Sequence, residues 1–221
     1  MNKDEEEIEN IKKSGKVASY FFGKAISEVE LVIDSGKVTK HSDISKKVLD
    51  LMENESELKK CAIKLSSQKV SKEFIDIGAP TSIQSGGSYS NKLFIESNDK
   101  ELKSDCILIS LGAMYRSYNT FISRTLLIDP TEEQKQIYKK IETLTKILTT
   151  NLRVGVKINE VYKKARMFMQ DNLKNVEVPR NFGYGMGIFM HENTLTINEA
   201  NERLIQAGNS FMLSINLPDI K

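Results

Sequence analysis

Apolar residues recur at Ile8, Ile11, Val17, Phe21, Ala25 and Val29, which predicts a long amphipathic helix at the start of the chain. Asp4 to Glu7 place negative charge in its first turn, where the helix dipole favours it. Asp34-Ser35-Gly36 supplies the stop. Ile44, Val48 and Leu51 mark a second helix, with Ser42 or Asp43 as the expected cap. The acidic residues Glu53, Glu55 and Glu57 then read as a solvated face or loop. Beyond residue 72 the pattern changes to strands. Phe74 to Pro80 runs into Thr81-Ser82-Ile83-Gln84-Ser85-Gly86-Gly87-Ser88, a short strand ending in a Gly-Gly turn. A phosphate loop fits poorly there, because no Gly-Lys-Ser/Thr follows. Cys106–Leu111 and Phe121–Ile128 are two more strands, with residues 112–118 as an extended connection.

The second half repeats this order. Thr131-Glu132-Glu133-Gln134 is a capping box, and Ile137, Ile141, Leu144 and Leu148 form the helical stripe behind it. Gly155 interrupts the pattern as Gly36 does in the first half. Asn159 is the expected cap of a further helix carrying Val161, Ala165 and Phe168. Strands are expected at Phe182–Met190 and Ser210–Leu217. Two related halves, each with helices packed on antiparallel strands, make an α+β fold.

Composition narrows the function classes. The 221 residues carry a net charge of +2, which gives no strong field toward nucleic acid or an anionic membrane. Cys61 and Cys106 are too few for a disulfide framework and lack metal-ligand spacing, so two reduced thiols are expected. Acidic residues stand where a signal peptide would be basic, and no run is long enough for a membrane span, so an intracellular protein is expected.

Candidate chemistry concentrates in Gly183-Tyr184-Gly185-Met186-Gly187-Ile188-Phe189-Met190-His191-Glu192. Glycine at every second position lets other backbones approach closely, and His191 is one of only two histidines in the chain. The segment resembles the G-H-G-x-G-x-x-x-H-E run of the methionine aminopeptidase and prolidase superfamily, the pita-bread metallohydrolases. The resemblance implies a fold of helices on a curved antiparallel sheet, repeated about a pseudo-twofold. It also implies a set of metal-ligand positions. Tyr184 stands at the metal-binding histidine. Ser110, in Ser110-Leu111-Gly112, stands at the aspartate of the D-x-G strand. Phe121, in the segment Thr120 to Thr125, stands at the second aspartate, and Ser214, after Gly208 to Leu213, stands at a glutamate. A fifth position falls beyond Lys221. A serine hydroxyl coordinates weakly, a neutral phenol poorly and a phenyl ring not at all. No metal, no cofactor and no catalysis are therefore expected, while the frame residues Gly112, Arg124, Thr125, His191 and Glu192 are kept. Tyr184 and Phe121 are expected as core packing, and Ser110 and Ser214 as partners of backbone groups. His191 has two readings, a hydrogen-bonded structural histidine or a retained cleft residue.

Within that superfamily, Ile83 to Tyr89 with its Q-S-G-G run, Leu111 to Leu126, and the N-F-G-x-G-M-G-I run at Asn181–Ile188 resemble the large-subunit family of the FACT histone chaperones. The similarity extends over essentially the whole chain. It implies one non-catalytic aminopeptidase-like domain over residues 1–221, ending before the family's last strand. It further implies a nuclear, histone-binding role in nucleosome disassembly and reassembly during transcription, replication and repair. Histones H3–H4 are the implied partner, with the other core-histone dimer as a second one. DNA would be met only through nucleosomes, and the small HMG-box subunit only through other domains. No residue is marked as a histone contact. The alternatives are a pseudo-aminopeptidase adaptor bound to RNA or ribosomes, for which a stronger basic patch is expected, and a residual metallopeptidase.

Overall fold

The structure is a computed structural model that describes residues 2–215 except 88, 91, 93 and 175. Its helices are α1 (Glu5–Ser35), α2 (His41–Glu53), α3 (Glu55–Lys64), α4 (Glu132–Asn151) and α5 (Ile158–Asn172). Its strands are β1 (Ile75–Ser85), β2 (Cys106–Tyr115), β3 (Tyr118–Leu127), β4 (Gly183–Gly185) and β5 (Phe211–Leu213). The chain divides into two compact units. One is contiguous, Glu9–Asp129, and the other is discontinuous, Met1–Ile8 with Pro130–Lys221. No helix among the described residues is long and apolar enough to cross a membrane.

In the contiguous unit β1, β2 and β3 form an antiparallel sheet in that order. The central strand β2 is buried from Ile107 to Ala113, which is why it reads as a continuous apolar run rather than an alternating one. Val17, Ala18, Phe21, Ala25 and Val29 of α1 pack with Ile44, Val48, Ile83, Ile107 and Ile109 in one core. The expected connection at 112–118 is mostly strand. Only Arg116 and Ser117 turn the chain, both with positive φ (48° and 67°), and Tyr115 pairs with Tyr118 across them. This is the backbone of a two-residue hairpin loop that glycine or asparagine would fit more easily. The Arg116 guanidinium lies 4.3 Å from the centre of the Phe74 ring and helps to hold it. Gln84 explains part of the Q-S-G-G run: its side-chain oxygen accepts from Ser90 N–H (2.7 Å) and its amide donates to the Ser90 carbonyl (2.9 Å), closing the loop like a strand partner.

In the discontinuous unit α4 and α5 pack through Leu144, Leu148, Ile158, Val161, Ala165 and Met169 around Phe182 and Ile197. The Thr131–Gln134 capping box is formed.

Several local expectations are corrected. Neither Ser42, Asp43 nor Asn159 caps its helix. Lys40 and Lys157 occupy the N-cap positions and offer no side-chain bond. A returning strap of backbone does the work instead. Carbonyls of Lys100 and Asn98 accept from His41 and Ser42 N–H (2.9 and 3.0 Å), and carbonyls of Arg203 and Asn201 accept from Ile158 and Asn159 N–H (2.9 and 2.8 Å). The first amides of a helix have no partner within the helix, so any well-placed carbonyl can replace a side-chain cap. In the acidic stretch Glu53 and Glu55 are exposed on helices, as a solvated face requires, but Glu57 is not. Asn54 caps α3, and Glu57 is buried, accepting from Lys60 (2.5 Å) and pairing with Lys24 (3.0 Å). The strand expected over Phe182–Met190 is limited to Gly183–Gly185, and the last one to Phe211–Leu213. Residues 216 and 217 of that expected strand, and Ser88 of the Gly-Gly turn, lie outside the described residues.

Candidate functional site

In the contiguous unit the register pairs Ser110 with Ser123 and Gly112 with Phe121. Residues opposite one another, and residues two apart, share a face of a sheet, so Ser110 and Phe121 are diagonal neighbours on one face. Ser82 of β1 lies opposite Ser110 on the same face. Ser110 is buried. Phe121 is half-buried and is not part of the core, contrary to the packing role expected for it. Gly112 is required by close approach. The β1–β2 register shifts between Ile77 and Ala79, and a Cβ on Gly112 would stand 2.8 Å from Ala79 N and 2.9 Å from Ala79 Cβ.

In the discontinuous unit Tyr184 pairs with Met212, and Ser214 N–H donates to the Phe182 carbonyl (3.0 Å) just beyond β5. Ser214 therefore continues the ladder and is the diagonal neighbour of Tyr184. The chain then folds back on itself: Gly187 N–H donates to Phe189 O (2.9 Å) and Glu192 N–H to Gly185 O (2.7 Å). That return stacks the His191 ring on the Tyr184 ring, centroids 3.7 Å apart and planes 20° from parallel. His191 is exposed and makes no hydrogen bond among the described residues, so its support is the stack rather than the expected hydrogen bond. Tyr184 is half-buried and outside the core, and burial raises the pKa of its phenol. The ring is neutral at ordinary pH and a poor ligand for a divalent ion.

No sequence motif signals one buried pair in this unit. Lys3 Nζ contacts both carboxylate oxygens of Glu192, at 2.7 and 2.9 Å, with side chains 4% and 9% exposed. The cysteines offer no nucleophile. Burial pushes the Cys61 thiol up to about 11 and raises that of Cys106 as well, so both stay protonated. Among the described residues no group of three or more His, Cys, Asp or Glu is placed to hold a metal ion.

The model of metallopeptidase family M24 matches residues 9–219. The chain belongs to metallopeptidase family M24. Within M24 it is similar to the FACT complex subunit SPT16 of Dictyostelium discoideum, 30% identical over 210 residues, a match covering 93% of this chain and 19% of that protein. The N-terminal domain of FACT complex subunit SPT16 from Eremothecium gossypii superposes with a TM-score of 0.88 at 26% identity, over 95% of this chain and 50% of that one. The prolidase of Pyrococcus furiosus superposes with a TM-score of 0.71 at 22% identity, over 95% of this chain and 56% of that one, and shares the fold alone. The pita-bread M24 fold and the resemblance to the FACT large-subunit family, both expected from the glycine segment and the Q-S-G-G run, are met. The chain spans about a fifth of the length of the curated relatives it matches.

Proposed function

We propose that residues 1–221 act as one non-catalytic, histone-binding module of a FACT-type chromatin complex. The observation that carries this reading is the match to SPT16 over 93% of the chain, with structural agreement at a TM-score of 0.88. In this reading Ser110, Phe121, Tyr184 and Ser214 stand where active M24 members bind metal. A hydrolase of that kind needs anionic oxygens and an imidazole to hold divalent ions and generate hydroxide. Two hydroxyls, a phenyl ring and a protonated phenol do not fit such ions, and no catalytic step is assigned. His191, stacked and exposed beside Tyr184, is then a retained cleft residue rather than a reacting group.

The role that follows is nuclear: histones are handled during nucleosome disassembly and reassembly in transcription, replication and repair, with H3–H4 as the first partner. DNA is met through nucleosomes, and the HMG-box subunit through other domains of the full protein. The test is a titration of the 221-residue chain with H3–H4 tetramers and, in parallel, with dimers of the other two core histones, at physiological and at raised salt. Binding to H3–H4 that persists at raised salt supports the reading. Binding to both that vanishes with salt marks only screened surface charge, and overturns it. Metal uptake from cobalt or manganese near one equivalent would separately overturn the assignment of the ligand positions.

A further inference from the structure

We propose that Gly187, Glu192 and Gly208 form a binding slot for a primary alkylammonium group, which the chain fills with its own Lys3. The inference goes beyond the histone reading and does not depend on it. Four observations converge on the slot. The Lys3 ammonium lies against both oxygens of Glu192 with almost no solvent access to either side chain. Lys3 N–H donates to the Gly208 carbonyl (3.0 Å), which sets the backbone beside the slot. A Cβ at Gly187 would stand 2.8 Å from Lys3 Cε and 3.0 Å from Glu192 Oε1. A Cβ at Gly208, whose φ is +84°, would stand 2.9 Å from Lys3 N. Each glycine thus leaves out the atoms that the lysine stem or backbone occupies, and Glu192 is itself held by its N–H bond to Gly185 (2.7 Å).

The slot is matched to lysine in charge and in shape. A carboxylate this buried needs a cation at contact distance, because an uncompensated buried charge is strongly destabilising. The compact ammonium at the end of an unbranched stem meets both oxygens of Glu192, whereas a guanidinium fork is wider and planar. Glu192 and Gly187, part of the retained glycine segment, acquire here a use that involves no metal.

Chemical rescue tests the slot. Lys3→Ala removes three methylenes and the ammonium, the heavy atoms of n-propylammonium. The variant is expected to melt on the order of 10 °C below the parent chain. Millimolar n-propylammonium chloride is expected to restore its Tm saturably, with no effect on the parent chain or on Lys3→Ala/Glu192→Gln. An equal restoration by sodium chloride, or an unchanged Tm in Lys3→Ala, overturns the proposal. A second measurement needs no variant: amine labelling of the parent chain read by mass spectrometry. Lys3 is expected to label far more slowly than exposed Lys12, and labelling at the same rate as Lys12 overturns the slot even if Lys3→Ala does not fold.

Discussion

His41 and Ile158 occupy corresponding places in the two units, and they solve the same problem with opposite chemistry. Each is the first residue of a helix, each is fully buried, and each gives its N–H to a carbonyl of a returning strap. The straps match further. Leu102 N–H donates to Thr39 O and Ile205 N–H to Val156 O, both at 2.9 Å, while Asn98 and Asn201 each turn back to accept from the amide two residues on, Lys100 (3.0 Å) and Arg203 (3.2 Å). In the contiguous unit the buried side chain is polar and fully engaged. His41 Nδ1 meets Asn98 Oδ1 at 2.8 Å and Nε2 meets Ser85 Oγ at 2.7 Å, while Ser85 Oγ also accepts from Lys103 N–H at 2.8 Å. Those partners fit the neutral tautomer that donates from Nδ1 and accepts at Nε2. In the discontinuous unit Ile158 only packs, and next to it Asn159 Oδ1 is buried without a hydrogen-bond partner among the described residues. One backbone device is thus kept twice while the side chains around it are free to change. In the reading proposed above, the same separation would hold at Ser110, Phe121, Tyr184 and Ser214, beside frame glycines such as Gly112 and Gly183.

The comparison breaks most severely at Gly183. Its φ of +133° and its approach to Met212, whose carbonyl carbon would lie 3.0 Å from an added Cβ, make Gly183→Ala incompatible with the β4–β5 ladder. A loss of about 4 kcal/mol or more in urea unfolding is expected. A value near 1 kcal/mol would mean the short ladder adapts. Next comes an exchange between the two solutions. His41→Leu leaves Asn98 with its Lys100 contact but takes from the Ser85 hydroxyl the imidazole nitrogen that accepts its proton. It is expected to cost about 2 kcal/mol, and a neutral result would show that the polar network adds nothing over packing.

Acid distinguishes the units by a smaller amount. Hydrogen bonds from Lys60 and then Lys24 hold the Glu57 carboxyl down at about 2, against an ordinary 4.5. A carboxyl depressed in the folded state stabilises above its unfolded value and loses that contribution as pH falls from about 4.5 toward 2. Glu57→Gln is expected to flatten the stability profile in that window, and an unchanged slope would remove Glu57 from the account. The smallest effect is expected at Asn159. Removing a buried acceptor that has no partner relieves a desolvation cost, so Asn159→Ala should shift stability by less than about 1 kcal/mol, in the stabilising direction. A loss of about 2 kcal/mol would reveal a water bound to Oδ1.

Helices α1, α2, α4 and α5 and strands β1 to β3 were legible because periodic apolar positions report local geometry, whereas α3 was missed and β4 and β5 were overextended. Val17, Phe21, Ala25 and Val29 are all buried as their spacing predicts. The register brings Ser110 near Phe121 and Ser214 near Tyr184, a grouping that motif spacing yields only once the strands pair. The caps were not legible. Ser42, Asp43 and Asn159 are good capping residues, but the carbonyls that replace them come from residues 98–100 and 201–203, and nothing local announces a strap. Glu57 looked solvated because its cations come from Lys24 of α1 as well as from its own helix. Lys3 and Glu192 were invisible for the same reason at greater range, being 189 residues apart.

That separation has a consequence in time. During synthesis Lys3 emerges 189 residues before Glu192, a delay of roughly 10–40 s at ordinary elongation rates. All of Glu9–Asp129 is made within that interval, and its β2–β3 hairpin closes through a two-residue turn in microseconds. The contiguous unit is therefore synthesised, and its hairpin free to close, before Glu192 exists to meet Lys3.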